Sequence, residues 1–135
     1  QICFPGGAIE HDDASLIDTA IRESNEEIGL KPELIQILGP LSPLYIPVSN
    51  FFVQPYMASL LSEPEYVLDP QEAAGVLEIS LSELMDDSNE EIRLVDHRGE
   101  FTLKTPCFVF EDEVIWGATA MMIAELKAII SQMGH

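Results

Sequence analysis

Residues 4–30 read FPGGAIEHDDASLIDTAIRESNEEIGL, and this stretch decides how the chain folds. Residues 1–4 read as a strand running into a Pro5-Gly6-Gly7 turn. From about Asp13 to Ile28 the pattern is helical, because Ile17, Ala20, Ile21, Ser24 and Ile28 recur at steps that keep them on one face. Asp12 or Asp13 is placed to cap the start, and Gly29 sits where a left-handed residue ends a helix. On a wheel of about 100° per residue with Ile17 at zero, the apolar residues lie within about 60° of zero. Glu23, Glu26 and Glu27 fall at about 240°, 180° and 280°, a separate stripe one turn long.

Carboxylates at these spacings repel one another and cost a helix a few tenths of a kcal/mol per pair, roughly. A face that served only solubility would intersperse lysines. The triplet instead offers hard oxygen ligands to Mg²⁺ or Mn²⁺, whose charge removes the repulsion. Gly6-Gly7 lets the backbone bend tightly and brings the Gly7 carbonyl near the helix as a further ligand. Arg22 adjoins Glu23 and is placed to hold its carboxylate by a charge-assisted hydrogen bond. Such a site polarises a phosphoryl oxygen and activates water for in-line attack, with a nearby carboxylate as general base. Acidic residues on a helix are usually a solvated face, and the glutamates alone would be read that way. The full combination of strand, double glycine, fixed gap, Arg-Glu, Glu-Glu, aliphatic and Gly shifts the balance to a metal site.

The rest of the chain bounds the answer. Its 135 residues suit a single domain spanning 1–135, and a hydrophobic content of 47% is enough for a core. Six Lys and Arg against 24 Asp and Glu give a formal net charge of −18. That field repels phosphate backbones and anionic membranes, so neither nucleic acid nor a membrane is an expected partner. A phosphorylated substrate then needs its positive charge from a divalent cation. Cys3 and Cys107 lie far apart in apolar runs, which reads as buried thiols in a reducing, cytoplasmic setting. No run of about 18 apolar residues spans a membrane, and no secretory signal pattern is present.

Beyond the helix, strands are expected at about 34–38, 43–47, 51–61, 74–79, 92–95 and 100–103. A short helix is expected near Ser82, a hairpin over 107–116 turning at Glu111-Asp112, and a final helix from Gly117 to Met133. The apolar side of that last helix reads Met121, Met122, Leu126, Ile129, Ile130 and Met133. Strands in the middle with a helix towards each end make an α/β chain, a mixed sheet covered by helices. Glu72, Glu90 and Glu91 lie in expected loops, where a distal base is conceivable and a solvated acid is the ordinary outcome. His11, His97 and His135 show no metal-binding spacing, and Trp116 reads as core.

The stretch Arg22-Glu23-Ser24-Asn25-Glu26-Glu27-Ile28-Gly29-Leu30 resembles the helical half of the Nudix box, R-E-U-x-E-E-x-G-U, where U is aliphatic. Ser24 departs from it, the gap from Gly7 to Arg22 is one residue longer, and Ala14 stands where the common box has a glutamate. Glu10 and Asp13 are the acids near enough to take that place. These departures are shared by the coenzyme A pyrophosphatase-like branch, whose pattern runs G-Q-x-x-F-P-G-G, two acids, then A-L-R-E-T-x-E-E-I-G-L. Gln1, Phe4 to Gly7, Glu10, Asp13, Ala20, Arg22-Glu23 and Glu26 to Leu30 fit it.

The resemblance implies an α/β/α sandwich with a mixed sheet, and a further segment that members carry ahead of Gln1. It implies Glu23 and Glu27 as the principal metal ligands, Glu26 sharing the metal or acting as base, and Arg22 orienting Glu23. It implies cleavage of the diphosphate of coenzyme A or a related nucleoside diphosphate derivative, with Mg²⁺ or Mn²⁺, and suggests a homodimer. The rival activities are hydrolysis of ADP-ribose or nucleotide sugars, and a non-catalytic Nudix domain that binds a ligand.

Overall fold

A computed structural model describes residues 1–97, 99 and 101–133. The chain is of the mixed α/β class, and it divides into two compact units. One comprises Phe4–Leu77; the other joins Gln1–Cys3 to the chain from Glu78 onward.

The first unit opens with α1, Leu16–Ile28, close to where periodicity places it. Its N-cap is Ser15, not Asp12 or Asp13: the Ser15 hydroxyl accepts from the Asp18 N–H at 3.2 Å, a cap worth about 1 kcal/mol. Gly29 ends the helix at φ 75°, as expected, donating its N–H to the Asn25 carbonyl while Leu30 donates to Ser24. A Cβ there would also lie 2.6 Å from the Val67 nitrogen, so only glycine fits. No strand forms at 1–4; among the described residues no other strand pairs with it, and an unpaired strand leaves its backbone groups without a ladder.

After a 3-10 turn at Pro32–Leu34 come β1 (Ile35–Pro40), β2 (Leu44–Ile46), β3 (Phe51–Val53) and β4 (Tyr56–Leu60). β1 pairs antiparallel with β4, from Ile35 opposite Leu60 to Pro40 opposite Tyr56, with a bulge between Ile37 and Gly39. β2 and β3 form a separate antiparallel ribbon. The strand expected over 51–61 is broken because Pro55 has no N–H to give. Its carbonyl instead accepts from Leu41 N and Gln54 Nε2, tying the break to the chain before β2. Residues 74–79, expected as a strand, have no regular structure.

In the second unit Ser80 caps α2 (Leu81–Met85), and β5 (Glu90–His97), β6 (Phe101–Phe110) and β7 (Glu113–Ile115) form one antiparallel sheet in that order. The strands expected at 92–95 and 100–103 are thus parts of one longer ladder, and residue 100 lies outside the described residues. The turn falls on Glu111 and Asp112, both at positive φ, as read from the sequence. Helix α3 covers Gly117–Gln132, but its buried face is Thr119, Ala120, Ile123 and Lys127, while Met121 and Met133 are exposed. A helix apolar on most sides offers no single stripe to read. Lys127 can be buried because its ammonium pairs with Asp87 and Glu90 and lies over the Phe108 ring. The packed core is here, around Cys107, Phe108, Phe110 and Ile115. Both cysteines are free; Cys107 is buried as expected, and Cys3 is exposed, since no strand forms to bury it.

Candidate metal site on the first helix

Every residue of the candidate site belongs to the first unit. Glu23 and Glu27 are one helical turn apart on α1, so their carboxylates share a face. The turn from Asp69 to Ala73 brings a third. The last carbonyls of a helix have no partner inside it, and here Ile28 and Glu27 accept from Val67 N and Asp69 N, both at 3.0 Å. Asp69 then organises its own turn: its side chain accepts from Gln71 N, and its carbonyl accepts from Glu72 N and Ala73 N. Glu72 is thereby delivered to Glu23 and Glu27, with one carboxylate oxygen of each lying within 4.8 Å of the others.

The double-glycine turn closes on the same two glutamates. Gly6 donates its N–H to Glu27 Oε2 at 3.2 Å. Gly7 lies so close to Glu23 that a Cβ would fall 2.6 Å from Oε1. Burial, together with the charges of Glu23, Glu72 and Glu26 and against the Gly6 hydrogen bond, pushes the Glu27 carboxyl above its usual range.

Arg22 also holds Glu23. Its Nη1 is 3.0 Å from both Glu23 Oε1 and Glu26 Oε2, while Nε and Nη2 engage Asp13. Asp13, bonded to Arg22 and to the Glu10 and Thr19 donors, is held well below the usual carboxylate range, and the Arg22 guanidinium is driven further towards its charged form. Glu10 reaches Arg22 only at 3.5 Å. Glu26 is about half exposed and stands outside the Glu23–Glu27–Glu72 group.

The donor set fits a hard divalent cation. Three carboxylate oxygens converge, and among the described residues Arg22 donates to Asp13, Glu23, Glu26 and the Ala8 carbonyl and not to Glu27 or Glu72. Donors around an octahedral Mg²⁺ at about 2.1 Å lie roughly 3 to 4 Å apart, so little closure is needed.

A family model described as the NUDIX domain matches residues 1–103. The chain belongs to the Nudix family. Similar curated proteins include an uncharacterized Nudix hydrolase NudL of Enterobacter sp. (strain 638), 35% identical over 126 residues, covering 93% of this chain and 65% of that protein. An uncharacterized NudL of Yersinia pestis (strain Pestoides F) is 34% identical over 131 residues, covering 97% and 65%. The chain therefore spans about 65% of the length of the curated relatives it matches.

Within this Nudix chain the structure brings together Glu23, Glu27, Gly7 and Arg22, all expected from the sequence, and sets Glu26 at the edge on Arg22. From its sequence context Glu72, like Glu90 and Glu91, reads as a solvated loop carboxylate. Its signal is the Asp69-Pro70 turn, which fixes a local bend but not the helix end on which that bend docks. The other acids expected in loops, Glu90 and Glu91, instead open strand β5, where Glu90 pairs with Lys127 and Glu91 with Arg93. His11 is exposed; the His97 side chain and His135 lie outside the described residues. No helix among the described residues is long and apolar enough to cross a membrane.

Proposed function

We propose that this chain is a single Nudix domain that hydrolyses the diphosphate linkage of coenzyme A or a closely related nucleoside diphosphate derivative, using Mg²⁺ or Mn²⁺. The observation that carries the proposal is the convergence of Glu23, Glu27 and Glu72. Names of the relatives as Nudix hydrolases support the reaction type, and the F-P-G-G turn with Glu10 and Asp13 supports the coenzyme A branch.

Glu23, Glu27 and Glu72 would hold the cation, with the Gly7 carbonyl as a further donor. Bound there, a divalent ion supplies charge neutralisation to the diphosphate and acidifies water. The chain's own groups do the rest. Arg22 holds Glu23 in its ligand orientation and shares Nη1 with Glu26. Glu26, half exposed and outside the cluster, would take a proton from attacking water. Gly6 N–H fixes Glu27 from the turn side. A net charge of −18 disfavours polyanionic partners and fits a small substrate whose own charge is met by the cation.

The test is turnover of coenzyme A and of ADP-ribose with Mg²⁺ or Mn²⁺, products resolved by chromatography. Release of 4′-phosphopantetheine and adenosine 3′,5′-bisphosphate is the expected result. Turnover of ADP-ribose alone would keep the site and overturn the substrate. Metal binding without turnover of either substrate favours the ligand-binding alternative.

A further inference from the structure

Asp13 is the most heavily engaged carboxylate among the described residues of the first unit, and it touches neither Glu23, Glu27 nor Glu72. Its side chain is only 6% exposed. Oδ1 accepts from Arg22 Nε at 2.9 Å, and Oδ2 from Arg22 Nη2 at 3.0 Å. Oδ2 also lies 2.9 Å from the Glu10 N–H and 3.0 Å from the Thr19 hydroxyl, which is 3.2 Å from the Ser15 carbonyl as well.

A guanidinium is a planar, rigid fork, so a two-point grip on Nε and Nη2 fixes the direction of the remaining nitrogen, Nη1. In this chain Nη1 is the atom that meets Glu23 Oε1. Nη2 also donates to the Ala8 carbonyl at 3.3 Å, next to the double glycine. Without the grip, the fork is free to turn two nitrogens onto the glutamates and compete with a cation for them.

We infer that Asp13 is a positioning residue for the metal site: it clamps the Nε–Nη2 edge of Arg22 so that Nη1 holds Glu23 in its ligand orientation and stays off Glu27 and Glu72. The inference rests on the metal-site reading above. Its rival is that Asp13 merely staples residues 8–13 to α1 through Glu10 N and Thr19.

The two separate in a double-mutant cycle on Mn²⁺ affinity, read by electron paramagnetic resonance, with Asp13→Asn, Arg22→Gln and the double variant. Loss of a group that orients a metal ligand typically weakens binding about 10- to 100-fold. Asp13→Asn is expected to lose affinity in that range, and the double variant to bind no more weakly than Arg22→Gln alone. Thr19→Val, which removes a staple bond and leaves the clamp, is expected to keep affinity within about twofold. If Asp13→Asn does not fold, Arg22→Lys carries the test, since it keeps the charge without the two-point grip and should show the same loss. Additive losses in the cycle, or a Thr19→Val variant as impaired as Asp13→Asn, would overturn the clamp. Wild-type binding with an unshifted Asp13→Asn overturns this inference alone; a wild-type chain that binds no Mn²⁺ overturns it together with the proposed function.

Discussion

Gly7 and Glu23 are in such close register that a methyl group on Gly7 would sit 2.6 Å from Glu23 Oε1 and 2.8 Å from its Cδ. The clash is with the far end of a flexible side chain and not with backbone, so the fold has a way to yield and the carboxylate does not keep its place. Gly7→Ala is therefore expected to melt close to wild type. Turnover should fall on the order of 10²-fold, the penalty for a displacement of about 1 Å at a reacting centre. Thermal melts and steady-state kinetics on the same preparation check both halves.

Gly29 has the opposite profile. A Cβ there meets the Val67 backbone nitrogen at 2.6 Å, and φ is 75°. Gly29→Ala is expected to cost about 1 to 3 kcal/mol in urea unfolding. It should also weaken metal binding, because Val67 and Asp69 are the residues that dock the Glu72 turn on the helix end.

The Glu27 carboxyl is pushed up by burial and by its acidic neighbours. A carboxylate raised in the folded state costs stability above its folded pKa and nothing below its unfolded pKa, near 4.3. In chelator, wild type should thus recover stability relative to Glu27→Gln as pH is lowered from 7 through the folded value towards about 4. At pH 7 without metal Glu27→Gln should be the more stable, and added Mg²⁺ should reverse the order. Urea midpoints at pH 7 and 4, with and without Mg²⁺, test the sign.

Glu26 is expected to separate binding from turnover. With its carboxylate on Arg22 and outside the cluster, Glu26→Gln should leave Mn²⁺ affinity within about threefold. If it is the general base, its loss lowers kcat about 10²- to 10⁴-fold. Its exposed ion pair contributes at most about 1 kcal/mol to stability. Affinity and kcat measured together distinguish a base from a ligand.

How far the sequence disclosed this depends on the range of the contacts. Helix α1, its glycine stop and the Glu23–Glu27 pair follow from local spacing, and they appear where periodicity puts them. The hairpin at Glu111-Asp112 is equally local. Where non-local bonds decide, the pattern misleads. Asp13 reads locally as a helix cap, yet Arg22, on the second turn of α1, takes both its oxygens and leaves capping to Ser15. Glu72 looked like a loop acid because nothing near it in sequence reveals that Val67 and Asp69 bond the end of α1. The strands expected at 1–4 and 74–79 had suitable composition, but a strand exists only with a partner.

The most direct test of the metal site is Mn²⁺ titration of wild type, Glu27→Gln and Glu72→Gln, followed by electron paramagnetic resonance. The cluster predicts a bound ion in wild type and affinity at least about tenfold weaker in each variant, with Glu72→Gln affected although it lies far from the box in sequence. Wild-type affinity retained in both variants would contradict the assignment of the ion to these carboxylates.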